Sequence, residues 1–218
     1  MRILIELRLC SFPTNKQSNN NNKSRIEQFI NGLNKFFEYN LHYSKNNSNY
    51  SNIDIFVTDN TIPNGETLPD EILNVIPENI KIITCSNNNY GCFNKGAGDI
   101  EQWLYNREFI KQYDWFIHFE PRQLLKSNQF INSFLENPRN LFTLGNDNEH
   151  FNTGLFCIQT NHLLNYSEKC VLKHMVSEYI SIEHDLFDYF KHNNIDYDNL
   201  EKMDLLWFDT NTNRHYHW

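Results

Sequence analysis

The sequence has 218 residues and a formal net charge of -8. This length is enough for one domain with a full hydrophobic core. The acidic balance argues against non-specific binding to nucleic acid or anionic membranes, because such binding needs a basic face. No segment approaches the length of a membrane span, and the first residues lack the apolar stretch of a signal peptide. A soluble cytoplasmic protein without a nucleic-acid partner is therefore expected.

Two residue types stand out in the composition. Asparagine makes up about a sixth of the chain, well above ordinary usage. Its runs at 19–22, 46–47 and 87–89 separate periodic segments and therefore predict loops. The five cysteines show neither a C-x-x-C pair nor structural zinc spacing, so reduced thiols are expected.

Strands and helices alternate along most of the chain. Apolar runs predict strands at 3–9, 53–57, 80–85 and 115–119, and shorter ones at 141–144, 154–158 and 205–208. Capping boxes predict helices that begin at Ser24 with Glu27 and at Asp99 with Gln102. Further helices are predicted after Ser127 and over 162–180 and 184–192. This order predicts one α/β domain over residues 1–218, with a mixed, mainly parallel sheet flanked by helices, which could belong to a longer polypeptide.

The apolar run 115–119 stops at Glu120, Pro121 and Arg122. Proline cannot donate to a strand ladder, so the strand must end there. Glu120 and Arg122 are then held at the carboxyl end of a central strand, where open α/β sheets bind ligands. This position predicts a catalytic or binding site.

The segment 88–99 connects a predicted strand to a predicted helix and contains Asn94, Lys95, Gly96 and Gly98. Glycines let the backbone approach a ligand closely, and unpaired N–H groups at a helix start favour phosphate. Lys95 adds positive charge at the same place. The pattern is neither a P-loop nor a dinucleotide fingerprint, so a plain flexible turn is the alternative.

Three further polar residues follow or enter strands. Asp59 could accept hydrogen bonds from a base or ribose, and an Asx turn is its alternative. Asn152 and Thr153 enter an apolar strand beside Gly154, a position that can present Asn152 to a sugar hydroxyl. A tight turn between two strands is the alternative for that motif.

Two acidic or histidine-rich segments complete the candidates. Glu183 and Asp185 open a predicted helix, where either carboxylate could deprotonate an acceptor hydroxyl, and helix capping is the alternative. In the tail, His215 and His217 could join Glu120 in an oxygen-and-imidazole site of the kind that Mn²⁺ accepts. A solvated tail is the alternative there.

Taken together, these motifs resemble the GT-A-fold glycosyltransferases, which move a sugar from a nucleotide diphosphate to an acceptor. The resemblance covers residues 2–209, and its sharpest motif is Phe151-Asn-Thr-Gly-Leu-Phe156, which is similar to a Phe-Asn-Ser-Gly-Val segment whose Asn contacts the donor sugar. It implies a nucleotide-sugar donor, with UDP-sugar favoured, and a glycan acceptor. The asparagine bias and the expected soluble character suit polysaccharide or surface-glycan synthesis in an AT-rich microbe or a large virus. The donor-binding residues that the resemblance implies are Asp59, Asn94, Lys95, Glu120, Arg122, Asn152 and Thr153, with Glu183 or Asp185 as the base.

One motif departs from that family. Glu120-Pro-Arg122 occupies the place of an Asp-x-Asp that holds a divalent metal on the diphosphate, and Arg122 reverses the charge of the second acid. Two mechanisms stay open. Either Glu120, His215 and His217 bind Mn²⁺ or Mg²⁺, or Arg122 and Lys95 neutralise the diphosphate without metal.

Two other functions compete with this one. Sugar-1-phosphate nucleotidyltransferases have a related sheet and resemble one another in a glycine-rich, basic loop after the first strand. Here that place reads Leu9-Cys-Ser-Phe-Pro-Thr-Asn15, without a glycine, which counts against that function. A non-catalytic glycan-binding module would bind oligosaccharide and show no nucleotide affinity.

Overall fold

The computed structural model describes residues 1–12, 22–44, 52–209 and 214–217, without the side chains of residues 22, 23, 42, 44, 207–209 and 214–217. The strands in these ranges are β1 (Ile3–Leu9), β2 (Ile53–Asp59), β3 (Lys81–Thr84), β4 (Trp115–Phe119), β5 (Leu124–Leu125), β6 (Leu141–Phe142), β7 (Leu155–Gln159), β8 (Asp198–Asn199), β9 (Leu205–Asp209) and β10 (Arg214–His217). The helices are α1 (Asn22–Ser44), α2 (Asp70–Leu73), α3 (Lys95–Tyr105), α4 (Arg107–Ile110), α5 (Gln129–Glu136), α6 (Thr160–Lys169), α7 (Leu172–Ser177) and α8 (Ile182–His192). No helix in the described ranges is long and apolar enough to cross a membrane.

A larger mixed sheet forms the centre of the fold, with strand order β3-β2-β1-β4-β7-β6-β8. β1 pairs in parallel with β2 and β4, β2 pairs in parallel with β3, and β7 runs antiparallel to β4. This confirms the predicted mixed, mainly parallel sheet flanked by helices. Because of these directions, the carboxyl ends of β1, β2 and β4 meet the amino end of β7 at one edge, which we call the carboxyl edge.

Apolar layers cover both faces of this sheet. On one face, side chains of α1 such as Phe36 pack against Ile5, Leu7 and Phe119. On the other face, α3, α6 and α8 pack against strand residues that include Phe116. Every residue of β1 is buried, as expected for a strand with a helical layer on each side.

A smaller antiparallel sheet, with order β10-β9-β5 in the described residues, lies beyond the carboxyl edge. β5 begins two residues after Arg122, so this sheet adjoins the end of β4. The predicted strand at 205–208 is confirmed as β9. The backbone of His215 and His217 pairs with β9 in β10 rather than forming a solvated tail, and the side chains of both histidines lie outside the described part of the chain.

The predicted helix starts need correction. α1 begins at Asn22, so Ser24 lies inside the helix and does not cap it. α3 begins at Lys95, and its N-cap is Asn94, whose Oδ1 accepts the Ala97 N–H at 3.1 Å. Asp99 is therefore a buried residue within α3 and not its cap. The predicted helix over 162–180 is divided into α6 and α7.

The glycines at the start of α3 allow protein segments to pack closely. A Cβ on Gly96 would lie 2.5 Å from Cβ of Ile182 and 2.8 Å from its Cγ2, so α3 and α8 meet at their N-terminal ends. A Cβ on Gly98 would lie 2.9 Å from Cα of Gly91. Protein neighbours therefore occupy the space beside both glycines where a ligand was expected.

We expect Gly96→Ala to lower the free energy of unfolding by about 1–3 kcal/mol, because the clash with Ile182 outweighs the higher helix propensity of alanine. Ile182→Gly removes the two side-chain atoms that the new methyl group would meet and leaves the backbone nitrogen of residue 182, at 3.1 Å. Urea denaturation of the two single variants and the double variant should show a favourable coupling of about 0.5–3 kcal/mol. Strict additivity of the two changes would contradict this packing.

Candidate active site

Glu120 lies between two basic side chains at the carboxyl end of β4. Its Oε1 is 2.5 Å from Nζ of Lys95, and its Oε2 is 3.4 Å from Nη2 of Arg122. The side chains of Glu120 and Arg122 are 7% and 8% exposed, whereas that of Lys95 is 52% exposed. The site is thus a buried carboxylate–guanidinium pair with an ammonium group that reaches solvent.

Positive charge dominates the surroundings of Glu120. Burial by itself would raise the pKa of Glu120, but Lys95 and Arg122 lower it to well below its ordinary range, so the carboxylate is ionised. Arg25 of α1 adds another cation nearby, and its Nε donates to the Cys10 carbonyl oxygen at 2.6 Å. Burial lowers the pKa of Arg25, and the charge of Arg122 lowers it further. Because three cations surround one carboxylate, the region around Glu120 favours anionic ligands.

The described partners of Glu120 are cations, whereas the side chains of His215 and His217 lie outside the described residues, so metal binding by these three residues stays a prediction. Both carboxylate oxygens already face the cations Lys95 and Arg122, which would repel a further positive charge at the same short distance. Of the two open mechanisms, neutralisation of a diphosphate by Lys95 and Arg122 therefore agrees better with the side chains that surround Glu120.

A second buried ion pair ties α3 to the sheet behind this cluster. Nε of Arg8 donates to Oδ1 of Asp99 at 3.0 Å, and its Nη2 donates to Oδ1 of Asn60 at 2.7 Å. Burial raises the pKa of Asp99 even though Arg8 and Lys95 lower it. Nδ2 of Asn60 in turn donates to the Gly98 carbonyl oxygen at 2.8 Å. These bonds fix the first turns of α3 relative to β1 and β2.

Glu6 anchors a third buried polar group in the same layer. Its Oε1 accepts the Thr58 hydroxyl at 2.9 Å, and its Oε2 accepts the Trp103 indole N–H at 2.9 Å. Nδ1 of His118 lies 2.8 Å from the same Oε2. Since Glu6 and His118 are neighbours across β1 and β4, the contact also joins the two central strands.

The surroundings of Asp59 agree with the Asx-turn alternative. Asp59 is fully buried, and its Oδ2 accepts the Ser11 N–H at 2.8 Å. Its Oδ1 accepts both the N–H and the hydroxyl of Thr61, at 2.8 and 2.6 Å. Contact with a base or ribose stays a prediction, and the bonds present give Asp59 the role of holding the segment after β1 to the segment after β2.

Asn94 is likewise engaged by the protein. Besides capping α3, its Nδ2 donates to the carbonyl oxygens of Met175 and Ile180, at 3.1 and 2.8 Å. Asn94 therefore positions Lys95 by joining the start of α3 to α7 and to the segment that follows it. A direct role in donor binding stays a prediction.

The motif at 152–154 lies beside Glu120. The Glu120 N–H donates to the Gly154 carbonyl oxygen at 2.9 Å, and Oδ1 of Asn152 accepts the Gly154 N–H at 3.1 Å. The Thr153 hydroxyl donates to Oε1 of Glu183 at 3.3 Å. These contacts bring the end of β4, the start of β7 and the first turn of α8 together at the carboxyl edge.

The structure separates the two acids of α8. Whereas Glu183 contacts Thr153, Asp185 accepts the Tyr166 hydroxyl at 2.8 Å and lines a different cavity, of about 380 Å³. Burial, together with the charge of Asp185, raises the pKa of Cys170 in that cavity to about 12, so its thiol stays protonated. Asp185 does not join the cluster around Glu120. Of the two acids of α8, Glu183 is the one that lies at the carboxyl edge.

Sequence reasoning missed Arg8, Arg25, Asp99 and Gln123 as parts of the site. A charged residue in a strand buried on both faces signals a buried counter-ion, so Arg8 could have been found. Gln123 gives no such signal. It is buried, its Oε1 has no hydrogen-bond partner among the described residues, and a Cβ on Gly154 would lie 1.8 Å from its Nε2.

Comparison with solved structures shows the fold. A protein from Desulfovibrio desulfuricans G20, assigned as a nucleotide-diphospho-sugar transferase, matches with a TM-score of 0.56 and 9% identity over 92% of this chain and 80% of that chain. The chain has the nucleotide-diphospho-sugar transferase fold. A cytidylyltransferase from Leptospira borgpetersenii serovar Hardjo-bovis matches with a TM-score of 0.48 and 13% identity over 93% of this chain and 76% of that chain. No protein-family model and no curated protein matches the sequence.

We expect Glu120→Gln to lower the free energy of unfolding at pH 7 by about 1–3 kcal/mol, because Arg122 is left buried without its counter-ion while Lys95 can turn to water. The folded-state pKa of Glu120 is depressed, so its ionised form stabilises the fold fully above the unfolded-state pKa of about 4.3. The difference between wild type and variant should therefore shrink as the pH falls below that value.

Urea denaturation between pH 7 and pH 3 measures this difference. Glu136→Gln, which changes an exposed carboxylate at the end of α5, is the matched control and should have little effect. A pH-independent difference for Glu120→Gln would contradict the ion-pair assignment.

Proposed function

We propose that this protein is a glycosyltransferase that moves a sugar from a nucleotide-diphosphate donor, with UDP-sugar favoured, to a hydroxyl group of a glycan acceptor. The observation that carries the proposal is the cluster of Lys95, Glu120 and Arg122 at the carboxyl edge. It lies where α/β sheets bind their ligands, in a fold shared with a nucleotide-diphospho-sugar transferase.

The cluster suits a leaving diphosphate. Arg122 offers a planar guanidinium that can bind phosphate oxygens in a bidentate manner, and exposed Lys95 offers a mobile point charge. These groups stabilise the charge that develops on the diphosphate as the glycosidic bond to it breaks. The mechanism we propose therefore needs no metal at the diphosphate.

Glu183 is the residue that we propose as the general base. Its carboxylate accepts the Thr153 hydroxyl, and this contact places it at the carboxyl edge. Thr153 directly follows Asn152, the proposed partner of the donor sugar. A base in this position would remove the proton from the acceptor hydroxyl as that oxygen attacks the sugar carbon. Asp185 takes no part, because its carboxylate faces Tyr166.

Binding of the donor is the first test. In a thermal-shift screen of UDP, GDP and dTDP sugars, the matching donor at 100 times its dissociation constant should stabilise the protein by about 2.7 kcal/mol. The shift should be the same in Mn²⁺ and in EDTA. Arg122→Gln should weaken binding by about tenfold or more, since a charge-assisted hydrogen bond contributes roughly 1.5–3 kcal/mol.

Arg107→Gln is the matched control, because Arg107 is half-exposed and pairs with Glu168 away from the cluster. Its donor affinity should equal that of the wild type. The absence of a shift with every nucleotide sugar would rule out the proposed function, and loss of the shift in EDTA would rule out its metal-independent form. Release of pyrophosphate from a nucleoside triphosphate and a sugar phosphate would instead indicate a nucleotidyltransferase.

Transfer kinetics test the base. Glu183→Gln should lower kcat by about 10²–10⁴-fold, the usual contribution of general base catalysis, while donor affinity stays unchanged. Asp185→Asn is the matched control on the same helix and should retain most of kcat. Equal loss of kcat in both variants, or loss only in Asp185→Asn, would contradict the assignment of Glu183.

A further inference from the structure

A second cluster of metal-ligating side chains lies outside the cluster around Glu120. Asp147 and His150 belong to the connection between β6 and β7, and His184 lies in the first turn of α8. One ligand atom from each residue lies within 4.8 Å of the other two. We propose that Asp147, His150 and His184 form a binding site for one divalent transition-metal ion, with Zn²⁺ preferred.

The three side chains are already near the separation that such an ion requires. Nδ1 of His150 lies 2.8 Å from Oδ1 of Asp147, and the ring centroids of His150 and His184 are 4.9 Å apart. Zinc binds imidazole nitrogen and carboxylate oxygen at about 2.0–2.2 Å in a tetrahedral arrangement, which places neighbouring ligand atoms roughly 3.4 Å apart. The ligand atoms of the cluster, all within 4.8 Å of one another, span this separation.

The backbone of the connection holds His150 in this place. The Gly145 N–H donates to the His150 carbonyl oxygen at 2.9 Å, and Asn148 has a φ of 59°, which closes a tight turn. A Cβ on Gly145 would lie 2.0 Å from the His150 ring, so a larger residue would displace the imidazole. Oδ1 of Asp147 accepts the Glu149 N–H at 2.9 Å, which directs this carboxylate toward His150.

The hydrogen bonding of the imidazoles supports a metal. Nδ1 of His184 lies 2.8 Å from the Ser181 hydroxyl, which orients the ring and leaves Nε2 for an ion, the usual second contact of a metal-binding histidine. Nδ1 of His150 is enclosed and has no aligned hydrogen-bond partner in the described residues, although Asp147 is 2.8 Å away. A proton on Nδ1 or a metal ion would satisfy both this nitrogen and the carboxylate that faces it.

The ligand set selects the class of metal. Two imidazoles and one carboxylate suit Zn²⁺ and related transition metals, whereas Ca²⁺ and Mg²⁺ prefer oxygen ligands throughout. Three protein ligands leave a fourth tetrahedral position open, as in zinc sites that bind water or substrate. An ion here would join the β6–β7 connection to α8 directly beside Glu183. The site itself does not depend on the proposed function.

Metal titration tests the proposal. After dialysis against EDTA and then metal-free buffer, calorimetry with Zn²⁺ alone should give one site per chain, and Co²⁺ should give the visible absorption of tetrahedral coordination. Asp147→Asn, His150→Gln and His184→Gln should each weaken Zn²⁺ binding by more than about 100-fold, and Ser181→Ala by about tenfold through the orientation of His184.

Two matched controls lie on the same helix. His192→Gln and Asp188→Asn change exposed residues of α8 outside the cluster and should bind Zn²⁺ like the wild type. Circular dichroism in EDTA should show that all variants keep the wild-type fold. The absence of saturable Zn²⁺ binding by the wild type would overturn the proposal. Binding that survives in the cluster variants but is lost in His215→Gln/His217→Gln would overturn it as well.

Discussion

A charged group that leaves water must find a counter-charge, and this constraint organises the carboxyl edge of the larger sheet. Arg8 is paired with Asp99, and Glu120 with Arg122, all of them nearly inaccessible to solvent. Breaking such a pair leaves one charge buried alone, which is far more costly than losing a surface ion pair. These four side chains are therefore held in fixed positions before any ligand arrives.

Helix α3 supplies one partner to each of the buried polar groups. Lys95, Asp99 and Trp103 follow one another at intervals of four residues, so they form one stripe along the helix. Lys95 contacts Glu120, Asp99 contacts Arg8, and Trp103 donates to Glu6. The exposed ammonium group at the solvent end of the stripe is thus supported by two buried contacts deeper in the sheet. The position of the proposed phosphate-binding lysine follows from the packing of the whole helix.

Local signals in the sequence were sufficient for six of the seven strands of the larger sheet, all except β8, and for part of the site. The run of apolar residues before Pro121 placed the end of β4, and with it Glu120 and Arg122, at the edge where Lys95 also lies. The start of α3 was not predictable in the same way, because Gly96 and Gly98 have poor helix propensity and are explained by contacts with distant segments. The surroundings of Asp59 depend on Ser11, which is 48 residues away. The direction of Asp185 depends on the packing of α6, and β5 and β8, with two residues each, are too short for a periodic signal.

The outer strands of the larger sheet have a consequence for self-association. Within the described chain, this sheet is bordered by β3, with four residues, and β8, with two. Unpaired strand edges can recruit other chains into fibrils, and short or charged borders reduce that hazard. Lys81 of β3 lies over the Phe109 ring at 3.8 Å, and Asp198 of β8 is paired with Arg139. A chain with 15% aromatic residues can in this way keep its apolar strands inside the sheet and away from intermolecular pairing.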